Sequence, residues 1–187
     1  MASTGSPIYT KTGDDGSTGM LFGGRMSKAD PLVEICGTLD EAVACLGLAR
    51  ATCSDTAVRA VILKLQRGLF VAAADLAANP RARDRLTPGI SSVNAEMTAD
   101  LERTIDRVVA EHPLRPVFVV PGATLNSAAL DVARTVLRRA ERRLVSALEA
   151  GAPVQAPVLA YVNRASDLLY ALARRSAGER DEPPSHE

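Results

Sequence analysis

The strongest constraint on folding is the stretch from Leu125 to Glu149, where Leu125, Ala128 or Ala129, Val132, Val136, Ala140, Leu144 and Leu148 recur at steps of three and four. No glycine or proline interrupts it until Gly151 and Pro153. A helix of that length with one apolar stripe is unstable alone and must lay the stripe against other helices. Four further runs keep the same period. The first is Ile35, Leu39, Ala42 or Val43, Leu46 and Ala49, over about 31–52. The second, Val58, Val61, Ile62, Leu65, Leu69, Ala72 and Leu76, follows a Ser54 N-cap and stops at Pro80. Met97, Leu101, Ile105 and Val108 follow Ser91-Ser92 and end near His112-Pro113. The last starts near Pro157 with Val158 or Leu159, then Val162, Ala165 or Ser166, Leu169 and Leu172. Residues 80–91 read as a connection, and Val117-Phe118-Val119-Val120 as a structured loop too short for a sheet. No strand pattern repeats, so the expected fold is all-α, an antiparallel five-helix bundle.

Composition narrows the functional classes. At 187 residues the chain suits one domain that can bury a core without disulfide or metal support. Equal numbers of basic and acidic side chains, 22 each, argue against a broad nucleic-acid footprint, which needs a basic excess to displace counterions. Cys36, Cys45 and Cys53 form no CxxC pair and read as reduced packing residues, which points to a reducing compartment, the cytoplasm. Neither a secretory signal nor a membrane span is expected. The mostly polar segment 1–7 and the charged tail 177–187, with Pro183-Pro184, are expected to be flexible ends around a single domain over 8–176.

Between Ile8 and Pro31 lie Gly13, Gly16, Gly19, Gly23 and Gly24, interleaved with Thr10, Thr12, Ser17 and Thr18. Unobstructed amides, hydroxyls and Lys11 are the parts of a phosphate cradle, although neither a Walker A loop nor GxGxxG is present. A flexible glycine-rich arm has the same composition. Lys28 stands at the mouth of the first helix, either as a second phosphate contact or as a helix-start residue. On the fourth helix Asp131, Arg134, Arg138, Glu141 and Arg142 share a stripe, flanked by Arg139 and Arg143. Two readings fit: a solvated face with internal ion pairs, or an anion site in which planar guanidinium forks grip polyphosphate oxygens. Asp40 and Glu41 point roughly a hundred degrees apart, so one of them is available to partner an arginine. Asn163 and Asp167 sit a turn apart on the fifth helix, where inter-helix hydrogen bonding is the plain reading. With His112 in a loop, His186 in the tail and no HExxH, a triad or zinc hydrolase is disfavoured.

Three separated blocks then carry a resemblance. Tyr9-Thr10-Lys11-Thr12-Gly13-Asp14-Asp15-Gly16-Ser17-Thr18 leads to Lys28; next comes Gly37-Thr38-Leu39-Asp40-Glu41; last, Phe118-Val119-Val120-Pro121-Gly122 leads to Ala133-Arg134-Thr135-Val136-Leu137-Arg138-Arg139-Ala140-Glu141-Arg142 and Val162-Asn163-Arg164-Ala165-Ser166-Asp167. In order and register these resemble the PduO-type ATP:cob(I)alamin adenosyltransferases from Ile8 to about Arg175. The resemblance implies a homotrimer of five-helix bundles with ATP bound between subunits. It also implies transfer of the 5′-deoxyadenosyl group of ATP to Co(I) of reduced cobalamin, giving adenosylcobalamin and triphosphate, with magnesium accompanying the nucleotide.

Carried over on the matching positions, Thr10, Lys11, Thr12, Gly13, Thr18, Gly19 and Lys28 would hold phosphates from one subunit. Arg138, Arg139, Glu141, Arg142 and Asn163 would complete the site from its neighbour, with Arg138 nearest the developing charge. Asp40 and Arg134 look like the family's inter-subunit ion pair on the corrinoid side, and Phe118 like the aromatic that crowds the lower corrin face. The product implies hand-off to an adenosylcobalamin-dependent enzyme. Three positions depart from the family pattern: Val43 replaces a polar residue, Ala123 a glycine, and Asp131 a frequent histidine. They leave open an ATP-dependent cobalamin-binding chaperone or sensor without turnover as the alternative.

Overall fold

Helix starts are written locally by side chains that satisfy the first free amides. Asp30 accepts from the Leu32 amide at 2.8 Å and Pro31 supplies a preset first position, starting α1 (Pro31–Thr52). Asp55, rather than the expected Ser54, caps α2 (Thr56–Ala77), because its carboxylate reaches the amides of both Ala57 and Val58. Asn94 caps α3 (Ala95–Glu111), and a reciprocal Thr124–Ser127 capping box opens α4 (Leu125–Glu149). The last helix, α5 (Ala156–Ala177), starts with a proline in its first turn. The computed structural model describes residues 8–184. The molecule is mostly helical; among the described residues these five α-helices are joined by a tiny two-stranded sheet and two 3₁₀ turns, Pro80–Arg85 and Gly178–Arg180.

α4 packs on α1 along one flank and α5 along the other, α2 lies against α1 and α5, and α3 against α5. The core comprises Ile35, Leu39 and Leu46 of α1, Ile62, Leu65 and Leu69 of α2, Leu130, Leu137 and Leu144 of α4, and Leu168, Leu169 and Leu172 of α5. Each such side chain contributes about 1.5–3 kcal/mol by leaving water. The α4 stripe differs from expectation. Leu125 and Val132 are exposed, while Leu130, Ala133 and Leu137 are buried. A helix held between two neighbours is covered over a wide arc, and the arc is set by where those neighbours sit. Close packing also fixes Gly68 of α2, where any Cβ would stand 1.9 Å from the Tyr161 hydroxyl of α5.

Two further differences concern the ends of the domain. Strands β1 (Ser17–Gly19) and β2 (Arg25–Ser27) pair antiparallel inside the glycine-rich segment, with Thr18 opposite Met26. Within the tail 177–187, expected from composition to be flexible, Ala177 and Asp181 are buried while 178–180 and 182 are exposed. Asp181 is buried against Arg174, and the Val120 amide donates to the Glu182 carbonyl at 2.8 Å. The tail has almost no apolar residues; the Arg174–Asp181 ion pair, the Val120–Glu182 backbone bond and a bond from Arg115 to the Asp181 carbonyl at 3.4 Å attach it. The expected flexible segment 1–7 and residues 185–187 lie outside the described residues. None of the described helices is long and apolar enough to cross a membrane.

Candidate functional site

The glycine-rich segment is an ordered hairpin. It is pinned to the end of α2: the Leu21 amide donates to the Ala77 carbonyl at 2.8 Å, the Asn79 amide to the Leu21 carbonyl at 3.0 Å, and the Asn79 side-chain amide to the Gly23 carbonyl at 2.9 Å. Arg85 stacks over Phe22, 4.4 Å from the ring centre. In the exposed loop before β1, at the open end of the hairpin, the Thr10 and Thr12 hydroxyls lie 2.8 Å apart, and the Lys28 ammonium donates to the Gly13 carbonyl at 2.7 Å. Thr10, Lys11, Thr12, Gly13 and Lys28 therefore meet in one place, with Thr18 and Gly19 on the adjoining β1. Lys11 has φ of 60°, in the left-handed region that a non-glycine residue rarely adopts, so the loop holds backbone strain where the motif is densest. The Asp15 carboxyl is held below its ordinary range by hydrogen bonds from Ser17 and by the Arg25 guanidinium.

The α4 arginines divide into two groups. Arg139 bonds Glu41 of α1, and Arg143 bonds Glu34 at 2.7 Å and the Thr38 hydroxyl. These pairs tie α4 to α1 and identify Glu41, not Asp40, as the arginine partner within the chain. Arg138 and Arg142 are exposed and, among the described residues, have no carboxylate partner; Arg142 donates to the Arg138 carbonyl at 3.1 Å. Arg138 and Arg134 border one open cavity of about 360 Å³, lined also by Ile105, Leu114, Asp167 and Tyr170. The Asn163 amide donates to Glu141 at 2.6 Å, which orients that carboxylate between α4 and α5.

Arg134 donates to Asp131 at 3.0 Å, whose other oxygen accepts from buried Arg174, and Arg174 reaches Asp181 at 3.0 Å. Asp40 is exposed and has no ion-pair partner among the described residues. Within one chain Asp131, not Asp40, therefore holds Arg134. Phe118 projects from the α3–α4 loop with 88% of its surface exposed, in a stretch that also exposes Val117 and Val120. An unburied aromatic of that size marks a contact surface more often than a simple loop. No hydrogen bond or ion pair among the described residues joins the hairpin to the α4 arginines, so one chain presents the two groups separately.

Sequence reasoning passed over Arg25, which organises the hairpin, and Arg174, which anchors Asp131. Arg25 lies between Thr18 and Lys28 of the first block, and Arg174 is a cation three residues from each of buried Ala171 and Ala177 on the apolar side of α5, a pattern that signals a buried pair. The three cysteines are free, and burial pushes the Cys36 thiol up to about 11, so it is a packing residue rather than a nucleophile.

Comparison with known proteins bears on the family to which the chain belongs. Residues 8–176 match the family model described as cobalamin adenosyltransferase. The corrinoid adenosyltransferase PduO of Salmonella typhimurium is 41% identical over 168 residues, covering 89% of this chain and 48% of that protein. A corrinoid adenosyltransferase of Citrobacter freundii is 38% identical, covering 89% of this chain and 93% of its own. The chain thus spans about half of some relatives and nearly all of others. A variant PduO-type ATP:corrinoid adenosyltransferase from Lactobacillus reuteri, solved in complex with cobalamin and ATP, superposes with a TM-score of 0.83 at 31% identity, covering 95% of this chain and 97% of that one. With a family model matched along almost the whole described length, the chain belongs to the cobalamin adenosyltransferase family.

Proposed function

We propose that residues 8–176 form a single adenosyltransferase domain, an antiparallel five-helix bundle assembled as a homotrimer. It transfers the 5′-deoxyadenosyl group of ATP to Co(I) of a reduced corrinoid. The Co(I) electron pair attacks C5′, the cobalt–carbon bond forms, the C5′–O5′ bond breaks, and triphosphate leaves with the bonding electrons. Co(I) is already strongly nucleophilic, so the protein supplies no base. Its task is to place C5′ in line with cobalt and to stabilise growing negative charge on the leaving group. The observation that carries this reading is the pair of half-sites: a strained, hydroxyl- and lysine-bearing hairpin at one place, and the unpaired guanidiniums of Arg138 and Arg142 at another.

Thr10, Lys11, Thr12, Gly13, Thr18, Gly19 and Lys28 would hold the phosphates from one protomer. Arg138 and Arg142 would close on them from the next, with Asn163 and Glu141 fixing the nucleoside side. Arg139, tied to Glu41, would add charge from the second row. Phe118 would press on the lower corrin face and keep an axial ligand away. Arg134 would then be shared between its own Asp131 and Asp40 of an adjoining protomer. Among the described residues no group of three or more His, Cys, Asp or Glu side chains is placed to hold a metal ion. Magnesium takes most of its ligands from substrate phosphates and water, so it would enter with ATP, and no step here runs through it. We place the enzyme in the cytoplasm, whose reducing conditions suit its free thiols, with hand-off of product to an adenosylcobalamin-dependent enzyme.

The test is incubation of purified protein with ATP, magnesium and chemically reduced cobalamin. Formation of the cobalt–carbon chromophore together with triphosphate is expected. ATP-dependent corrinoid binding without product would instead favour the chaperone or sensor reading, for which the capture of Arg134 by Asp131 is the motivating feature. Neither binding nor product would remove both.

A further inference from the structure

Arg25, the first residue of β2, belongs to no motif block, yet its guanidinium is the most connected group in the hairpin. Its Nε donates to the Ser17 hydroxyl at 2.7 Å, and one terminal nitrogen donates to the Thr12 carbonyl, to Ser17 and, at 3.3 Å, to Asp15. The same Asp15 oxygen accepts from the Ser17 amide at 2.9 Å and its hydroxyl at 2.7 Å. Lys28 occupies the neighbouring Gly13 carbonyl. Two successive carbonyls are thus turned onto two cations. A trans peptide holds C=O and the following N–H antiparallel, so engaging the Thr12 carbonyl turns the Gly13 amide to the opposite side. Among the described residues the amides of Thr12, Gly13 and Asp15 donate to no protein acceptor. Free amides on a glycine-rich turn form an anion-binding concavity.

We propose that Arg25 is a positioning residue for the nucleotide: it bridges Thr12 and Ser17 so that the amides of the loop before β1 face the incoming phosphates before ATP arrives. Asp15 is the second half of the latch. By engaging the guanidinium it keeps Arg25 on the loop and off the ligand. The inference rests on the ATP reading above and concerns how that site is held, not whether it exists. Exposed ion pairs by themselves contribute little. The effect assigned here comes from loop order, which a flexible loop must otherwise acquire on binding.

The experiment compares wild type with Arg25→Ala, Arg25→Lys and Ser17→Ala as full-length proteins, by ATP calorimetry and steady-state kinetics with chemically reduced cobalamin. In Arg25→Ala the Kd and KM for ATP are expected to rise about tenfold, with the loss falling on KM rather than kcat, and KM for corrinoid unmoved. Arg25→Lys should recover only part of the loss, because one ammonium cannot span both acceptors in the planar fork's geometry. If Arg25→Ala does not fold, Ser17→Ala, which removes a bridging hydroxyl and no charge, should shift KM for ATP in the same direction by a smaller factor. Unchanged KM in every folded variant, a loss confined to kcat, or full rescue by lysine would overturn the proposal. Failure of the wild type itself to bind ATP would instead remove the functional reading on which it rests.

Discussion

Two arginines, Arg138 on α4 and Arg174 on α5, illustrate how the same side chain takes different roles. Arg138 has no carboxylate partner among the described residues and faces a cavity, so its charge is available to a ligand. Arg138→Ala should lower kcat by about 10²–10³-fold with unchanged circular dichroism and thermal midpoint, the loss typical of removing one preorganised charge-stabilising donor. Retained turnover in the folded variant would refute its role. Arg174, by contrast, is buried between Asp131 and Asp181 and keeps one guanidinium nitrogen, Nε, without a partner. Asp131→Ala leaves that buried charge half-compensated and should cost about 3–5 kcal/mol in denaturant unfolding. A loss below 1 kcal/mol would mean that Asp181 alone suffices. The arginine stripe was legible from its period. The division into paired Arg139 and Arg143 against unpaired Arg138 and Arg142 was not, since it depends on α1 placing Glu34 and Glu41 opposite the former pair.

Helices were the most legible elements, because apolar period and capping chemistry are both local properties of the chain. The first helix runs from Pro31 to Thr52 as its period predicts. The cap of α2 moved by one residue, since both Ser54 and Asp55 are competent and only the carboxylate's reach to two amides decides between them. Asp55 also accepts from Arg175 at 3.0 Å, so this cap joins α2 to α5. Its carboxyl is held below the ordinary value, chiefly by the Val58 amide, with Ala57 and Arg175 adding to the effect. Asp55→Ala is therefore expected to cost about 1 kcal/mol at neutral pH. A depressed folded-state pKa means that the contribution is complete above about pH 4 and fades as pH falls through the lower folded value, where wild type and variant should converge. A difference that persisted unchanged at acid pH would show that the carboxylate's charge plays no part. The β1–β2 hairpin left little mark on the sequence because each strand has three residues, too few to display alternation.

For the whole molecule, the arrangement to be tested is two half-sites on different protomers. A ring of three subunits would join the hairpin of each to α4 of the next. One preparation carrying Lys11→Ala and another carrying Arg138→Ala should each be inactive, yet an equal mixture exchanged through dissociation should recover about a quarter of wild-type activity, since about three quarters of the rings are mixed and every mixed ring contains one intact junction of three. No recovery after verified subunit exchange would place both halves in one chain. From its residues alone the sequence determined the helical class, the approximate helix spans, the glycine-rich loop and the blocks that mark the family, because period, turn chemistry and motif spacing are written along the chain. Tertiary structure decided which arginines are consumed by ion pairs, that Asp131 rather than Asp40 holds Arg134 within the chain, that Arg25 ties the loop before β1 to the hairpin, and that Asp181 binds the tail to the body. The reason is one of range: a side chain's partner is chosen by elements that meet only after folding, across separations in sequence over which local pattern carries no information.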